Sequence, residues 1–471
     1  MRRMGFISAL LVVLSAAVCL PSAAATTPLV VAIPTSTVPG VEPAYLGPGF
    51  WIARLRHPDR VQLEPAEIAR RNELLLRNDP SMHDLSALPA QLPRTQVQVW
   101  IERLAARPKA MLFDATGTPI GSDRLDRIAD NRDLDGIPDT QPIRFGLVVH
   151  RAALRSFPTD LRVFSSIGDT DLDRFQESAL FPGTPVVIAH RSRDQRWLFV
   201  VSPRYAAWVA VDAIAEGDRA QVLGYGDRIP YRIVTDASLR TAFTPDAPNV
   251  SLLQLDMGVR LPLSSVAGND VNGQNPYTSW TVELPVRQTD GKLAFVPALV
   301  ATQDGTAPMP LPLTQANVLR QAFRFLGERY GWGHDYGTRD CSGFVSEVYR
   351  SMGMLLPRNT GDQASSPVLD RLHFAGEGPS RERTAALQRL QVGDLVYLPG
   401  HVMLVIGRVG NVPYVIHDIH DGKVRDDDGR LRSLHLNAVS VTPLLPLRFD
   451  DGTRFVDRIT DIVRIRRTGT P

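Results

Sequence analysis

The spacing of apolar positions changes character along the chain. In "PGFWIARLRHPDRVQLEPAEIARRNELLLRN" (48–78) the period is helical: Ile52 and Leu55 share a face, and Ile68, Leu74 and Leu75 follow a Pro65 suited to a first turn. "RTQVQVWIERLAAR" (94–107) predicts a further helix with Val99, Ile101 and Leu104 apolar. Residues 45–135 thus read as mainly helical, behind an extended Pro-, Thr- and Val-rich segment over 28–48. From about 143 short β-rich runs take over, "RFGLVVHRAALRSFP", "TPVVIAHRS", "RWLFVVSP" and "AAWVAVDAIA", then "DRAQVLGY", "YRIVTD", "WTVELPVR" and "KLAFVPALV". Runs this short, split by Pro, Gly, Asp and Ser, predict two small antiparallel barrels or sandwiches. Beyond the linker "TQDGTAPMPLPLT", Thr314 can cap a helix whose apolar face is Val318, Ala322, Phe325 and Leu326. "CSGFVSEVYRSMGM" predicts a second helix, with Asp340 as N-cap and Phe344, Val345, Val348 and Met352 on one side. Strands follow in "VGDLVYLPGHVMLVIG" and "YVIHDI".

At 471 residues the chain exceeds a single core, and 44% hydrophobic with 22% charged residues is ordinary globular composition. A formal net charge of +2 gives no sign of a nucleic-acid partner. In "DNRDLDGIPD" (130–139), Asn131, Asp133, Asp135 and Gly136 match the opening of a calcium loop, but Pro142 stands where the closing glutamate belongs. A solvated, turn-rich linker is the expectation there. Residues 1–25 carry Arg2 and Arg3, an apolar run from Phe6 to Leu20 and an Ala23-Ala24-Ala25 ending, the pattern of a secretory leader. The run is too short to span a bilayer. Lipidation at Cys19 is a minor alternative, since Ala16 and Val18 depart from the usual pattern.

With the leader gone, Cys341 is the one remaining cysteine. It reads either as a small buried hydrophobe or as a nucleophile. The second reading rests on its place in a first helical turn, where backbone N–H groups and the helix dipole favour the thiolate and can also bind an oxyanion. A nucleophile needs a base and the base an orienting partner. His401 opens one strand and His417 lies on the next. Each taken singly also reads as a satisfied strand histidine; the order Cys, His, His favours the catalytic reading. His417 and His420, three apart on a strand, point to opposite faces rather than to one metal. No metal and no cofactor is expected.

"YGWGHDYGTRDCSGFV", "GDLVYLPGHVMLVIG" and "YVIHD" together resemble the NlpC/p60-type cell-wall cysteine peptidases, and "HRAALRSFPT" with "RWLFVVSPRYAAWV" resembles the first of two SH3-like modules in a multidomain branch of that family. The resemblance implies a multidomain protein: a leader (1–25), a mainly α N-terminal domain (26–139), two small all-β SH3-like barrels (140–215 and 216–303) and an α+β papain-like domain (312–471). It implies an endopeptidase acting on the γ-D-glutamyl–diamino acid (meso-diaminopimelate) bond of peptidoglycan stem peptides; with the leader, the expectation is an exported monomer, in a periplasm or outside the cell, without a membrane span once the leader is removed. Cys341 would be the nucleophile, His401 the base and His417 its orienting residue. Tyr330 would assist at the oxyanion, and Asp340 and Ser342 match positions that hold a substrate's free amine; both also read as helix-start residues. One departure stands out: His334 replaces the second glycine that usually follows the loop tryptophan. A non-catalytic wall-binding scaffold, or an amidase or acyltransferase on the same fold, are the alternatives.

Overall fold

The computed structural model describes residues 37–466 except 266, 267 and 269; the expected leader and Cys19 lie outside the described residues. Near the amino end, the helix Pro65–Asn78 starts at its proline and buries Ile68 and Leu75. The helix Arg94–Leu104 buries Val97 and Ile101, while Val99 is 37% exposed. This corrects the expected face: positions 97, 101 and 104, spaced by four and three, share one side of a helix, and 99 lies across from 101. The helix Pro48–Ile52 ends before Leu55, and both residues pack at the edge of the carboxy-terminal core. A helix over Ser122–Asp130, with Leu125 buried, ends where the expected linker begins. The acidic stretch after it is tied down, with Asn131 Nδ2 donating to the Pro158 carbonyl (2.9 Å) and Arg193 Nε to Asp133 (3.0 Å).

Most of these amino-terminal elements do not close a core of their own. Trp51, Leu63 and Ile68 join the carboxy-terminal core, and Val61–Leu63 pairs antiparallel with Leu313–Thr314. Leu92, Val97 and Ile101 instead cover Phe199 and Trp208 of the first β module. The segment acts as a strap across the two.

The first β module is one seven-stranded sheet, ordered Ile214–Gly217, Arg144–Val148, Pro185–Arg191, Trp197–Val201, Ala206–Ala210, Ala152–Arg155, Gln176–Leu180. Every pairing in it is antiparallel. Trp208 is fully buried at its centre. The second module is built from shorter pieces, Tyr231–Val234 against Arg260–Pro262 and the long hairpin Ser279–Arg287 with Leu293–Ala301. In the carboxy-terminal part, Thr314 Oγ1 accepts from Asn317 N (3.1 Å), capping the helix Gln315–Ala322. Asp340 Oδ1 accepts from Gly343 N (2.8 Å), capping the helix Cys341–Arg350. That helix lays Phe344, Val345 and Val348 on Val402, Leu404, Ile406 and Ile416. These belong to a six-stranded sheet ordered Asp370–His373, Asp461–Arg464, Leu395–Leu398, His401–Val409, Val412–Ile419, Ala438–Pro443. One helix start is thereby pressed against the end of a strand that begins with histidine. Among the described residues no helix is long and apolar enough to cross a membrane.

The corrected helix face has a measurable consequence. Ile101→Ala should cost about 2–5 kcal/mol in urea unfolding, by cavity formation. Val99→Ala should change stability by less than about 0.5 kcal/mol, as exposed positions do.

Candidate active site

Cys341 is the first residue of its helix and only 4% exposed. Its Sγ lies 3.6 Å from Thr360 Oγ1 and 4.0 Å from the Gly400 carbonyl oxygen, and the Val402 backbone N–H also reaches it. The two backbone contacts flank His401, so the turn at Pro399-Gly400 wraps the thiol with the histidine between them. Burial, with the Asp340 charge beside it, pushes the Cys341 thiol up to about 12. The helix start was expected to lower this value. Desolvation outweighs it, because the thiol is enclosed and next to a carboxylate rather than a cation. Burial likewise holds His401 down to about 4. The resting pair is therefore a neutral thiol and a neutral imidazole.

His401 Nε2 and His417 Nδ1 are 2.8 Å apart, and His417 Nε2 is 2.9 Å from Thr442 Oγ1. If His401 is to accept a proton on Nδ1, one arrangement satisfies the chain: Nε2–H of His401 donates to His417 Nδ1, and Nε2–H of His417 donates to the threonine hydroxyl. His417 is fully buried, and burial together with His401 keeps it well below its ordinary range. Thr442 is on the neighbouring strand, in register two residues beyond the partner of His417. Asp418, next along, is also fully buried, with no partner for either carboxylate oxygen. Burial raises it well above the carboxylate range, so it is carried as the neutral acid.

Tyr330 is 7% exposed and anchored by its N–H to the Asn437 carbonyl (3.0 Å). Burial, and the charges of Cys341 and Asp340, keep its phenol protonated and able to donate. Asp340 and Ser342 are both buried. Ser342 Oγ donates to Asp340 Oδ1 (3.1 Å), and Gly333 N donates to Oδ2 (3.1 Å). Arg358, unnoticed in the sequence, closes this group with Nη1 and Nη2 on the two Asp340 oxygens at 3.1 and 2.7 Å and Nη1 on Ser342 Oγ at 2.9 Å. Burial works to raise the Asp340 carboxyl, but Arg358 and the further donors outweigh it and leave it down at about 2.

His334 is buried rather than displayed to the cleft, 4% exposed. The first β module packs on this loop through residues that sequence reasoning did not single out. The Gln176 carbonyl accepts from Trp332 Nε1 (3.1 Å). Next to it Glu177 accepts from the Tyr205 hydroxyl (2.7 Å), and burial raises the Glu177 acid. Among the described residues no group of His, Cys, Asp or Glu could hold a metal ion. The assembled geometry offers a sulfur nucleophile, a histidine pair, and donors at a helix start, which suits acyl transfer through a thioester.

Residues 327–435 match the NlpC/P60 family, and residues 162–210 match an SH3 domain of the SH3b1 type. The chain is 27% identical over 210 residues to the γ-D-glutamyl-L-lysine dipeptidyl-peptidase of Bacillus subtilis (strain 168), covering 42% of this chain and 60% of that protein. It is 28% identical over 93 residues to dipeptidyl-peptidase 6 of Lysinibacillus sphaericus, covering 20% of this chain and 29% of that one. An NlpC/P60 endopeptidase from Photobacterium damselae subsp. piscicida shares the fold, with TM-score 0.67 at 18% identity over 88% of this chain and 96% of that chain.

A raised thiol has a direct readout. Iodoacetamide should alkylate Cys341 slowly at pH 7, with a rate still climbing through pH 10. A preformed thiolate–imidazolium pair would instead give a plateau near neutrality.

Proposed function

The chain carries an NlpC/P60 domain of papain-like fold behind an SH3 domain, and from that premise we propose that it is an exported cysteine endopeptidase cutting the γ-D-glutamyl–diamino acid bond of peptidoglycan stem peptides, with meso-diaminopimelate as the diamino acid. One observation carries the reading: the helix-start thiol is held between the backbone groups that flank His401, and His401 is hydrogen-bonded in series to His417 and Thr442.

In this reading His401 acts as general base rather than as half of a standing ion pair. It takes the thiol proton as Sγ bonds to the γ-carbonyl carbon. The carbonyl oxygen becomes an oxyanion, met by N–H groups of the helix start and by the Tyr330 hydroxyl. His401 returns the proton to the leaving amine as the C–N bond breaks, leaving a thioester on Cys341. Water, deprotonated by the same imidazole, hydrolyses it. His417 and Thr442 hold the ring so that one nitrogen stays free for these transfers.

Recognition of a free substrate amine is assigned to the wall where the SH3 domain meets the loop. Asp340 and Ser342 bring negative character there, but their lone pairs are largely committed to Arg358, Gly333 and Gly343. Glu177, steadied by Tyr205, supplies a further carboxylate. An envelope substrate also fits the leader expected over 1–25. Enclosure of the thiol favours a second reading, a wall-binding scaffold that cuts nothing.

Mass spectrometry of L-Ala-γ-D-Glu-meso-diaminopimelate and its N-acetylated form separates the two. Wild type should cleave the γ-D-glutamyl bond of the free-amine peptide. Cys341→Ala should abolish this, His401→Ala should nearly do so, and His417→Ala should leave residual turnover. Both peptides, and intact murein, surviving wild-type protein would favour the scaffold. Because the base must be unprotonated, kcat/KM should fall as pH drops through about 4, where burial places His401, rather than near the ordinary histidine value.

A further inference from the structure

His334 is the residue at which this loop departs from its family, and its surroundings give it a task. Its backbone is left-handed, with φ of +63°, a conformation that strains a residue carrying a side chain. The side chain offsets this with two directional bonds. Arg358 Nη2 lies 2.7 Å from Nδ1, and Glu347 Oε1 lies 3.1 Å from Nε2. A guanidinium only donates, so Nδ1 accepts, and the ring proton is on Nε2, donating to Glu347. The ring rests on the first turn of the Cys341 helix, where a Cβ at Gly343 would come within 2.4 Å of Cε1.

Each partner of His334 leads elsewhere. Arg358 spends its remaining donors on Asp340, Ser342 and Ser178 Oγ (2.6 Å), the last from the SH3 domain. Glu347 Oε2 accepts from Arg339 Nε (2.8 Å), and Arg339, fully buried, also grips Glu328 and, in the second β module, Asp256 (2.7 Å). The first β module holds the loop from the other side, with Arg151 Nη1 on the His334 carbonyl (2.8 Å) and the Phe181 ring edge-on to the imidazole at 5.7 Å.

We propose that His334 is a positioning residue, whose Nε2-protonated ring ties the Arg339–Glu347–Asp256 cluster to the guanidinium clamped on the helix start, so that seating of both β modules sets the placement of Cys341. The facing charges are Arg358, Arg151 and Arg339 against Asp340, Glu347 and, one step further, Asp256. Burial first, then Arg358, keeps the imidazole well below its ordinary value, which preserves Nδ1 as an acceptor. The proposal rests on Cys341 as nucleophile, but it can be read without any peptide substrate.

The test compares wild type, His334→Gly and His334→Asn by iodoacetamide alkylation of Cys341 against pH, and by turnover per alkylatable thiol. Glycine relieves the left-handed backbone, so folding is favoured; asparagine tolerates it and restores an acceptor at the Nδ1 position without reaching Glu347. His334→Gly should show a displaced alkylation profile and kcat reduced by about 10- to 100-fold per thiol, as a small misplacement costs, with KM little changed. His334→Asn should recover part of both. An alkylation profile superimposable on wild type in either folded variant overturns the proposal. So does a loss of rate wholly accounted for by fewer alkylatable thiols. Failure of wild type to cut the peptide would sink the function yet leave the alkylation comparison informative.

Discussion

The arrangement depends on one buried guanidinium. Arg358 has five N–H donors, and they reach Ser178, both oxygens of Asp340, Ser342 and His334. A charge in this position is tolerated only because its donors are met and Asp340 balances it. The same bonds fix the N-cap of the Cys341 helix, and the helix start fixes the thiol. The SH3 domain is thus joined to the mounting of Cys341 by direct polar contact, beyond the apolar packing that any two domains could share.

The charges around Cys341 are arranged differently from those of a thiolate site. A neighbouring cation, Arg358, is spent on Asp340, leaving a carboxylate as the charge that the thiol feels most. Tyr330 and Asp418 are buried acids held neutral. In such surroundings the thiol and the His401 imidazole both rest uncharged, and on the proposed mechanism charge would separate only as a carbonyl is attacked. A thiol held protonated in this way is a poor nucleophile toward soluble oxidants and alkylating agents.

Much of this was legible in local sequence. Helix starts at Thr314 and Asp340 follow from capping chemistry, and the hairpin bearing His401 and its neighbour bearing His417 follow from apolar runs broken at Pro399-Gly400. The Val99 face failed because a β-branched residue two positions from the true stripe looks apolar without being inward. The amino-terminal helices looked like a domain since periodicity records that a face is buried, not what buries it. Arg358, Thr442, Glu177 and Tyr205 left no signal because they are distant in sequence from the residues they serve, and an arginine after a proline reads as surface until its partners are known. His334 was visible as a departure, but its burial was not: a lone histidine in a glycine-rich loop suggests exposure and charge, whereas here it is enclosed and neutral.

On the proposed mechanism Cys341 carries the acyl group as a thioester. Acid-quenching the protein during turnover of L-Ala-γ-D-Glu-meso-diaminopimelate, followed by intact-mass and peptide mapping, would capture it. A mass increment equal to an L-Ala-γ-D-Glu acyl group, mapped to Cys341 and lost on hydroxylamine treatment, is expected. Turnover that persists in Cys341→Ala, with no adduct on the wild-type peptide containing Cys341, would rule out the thioester.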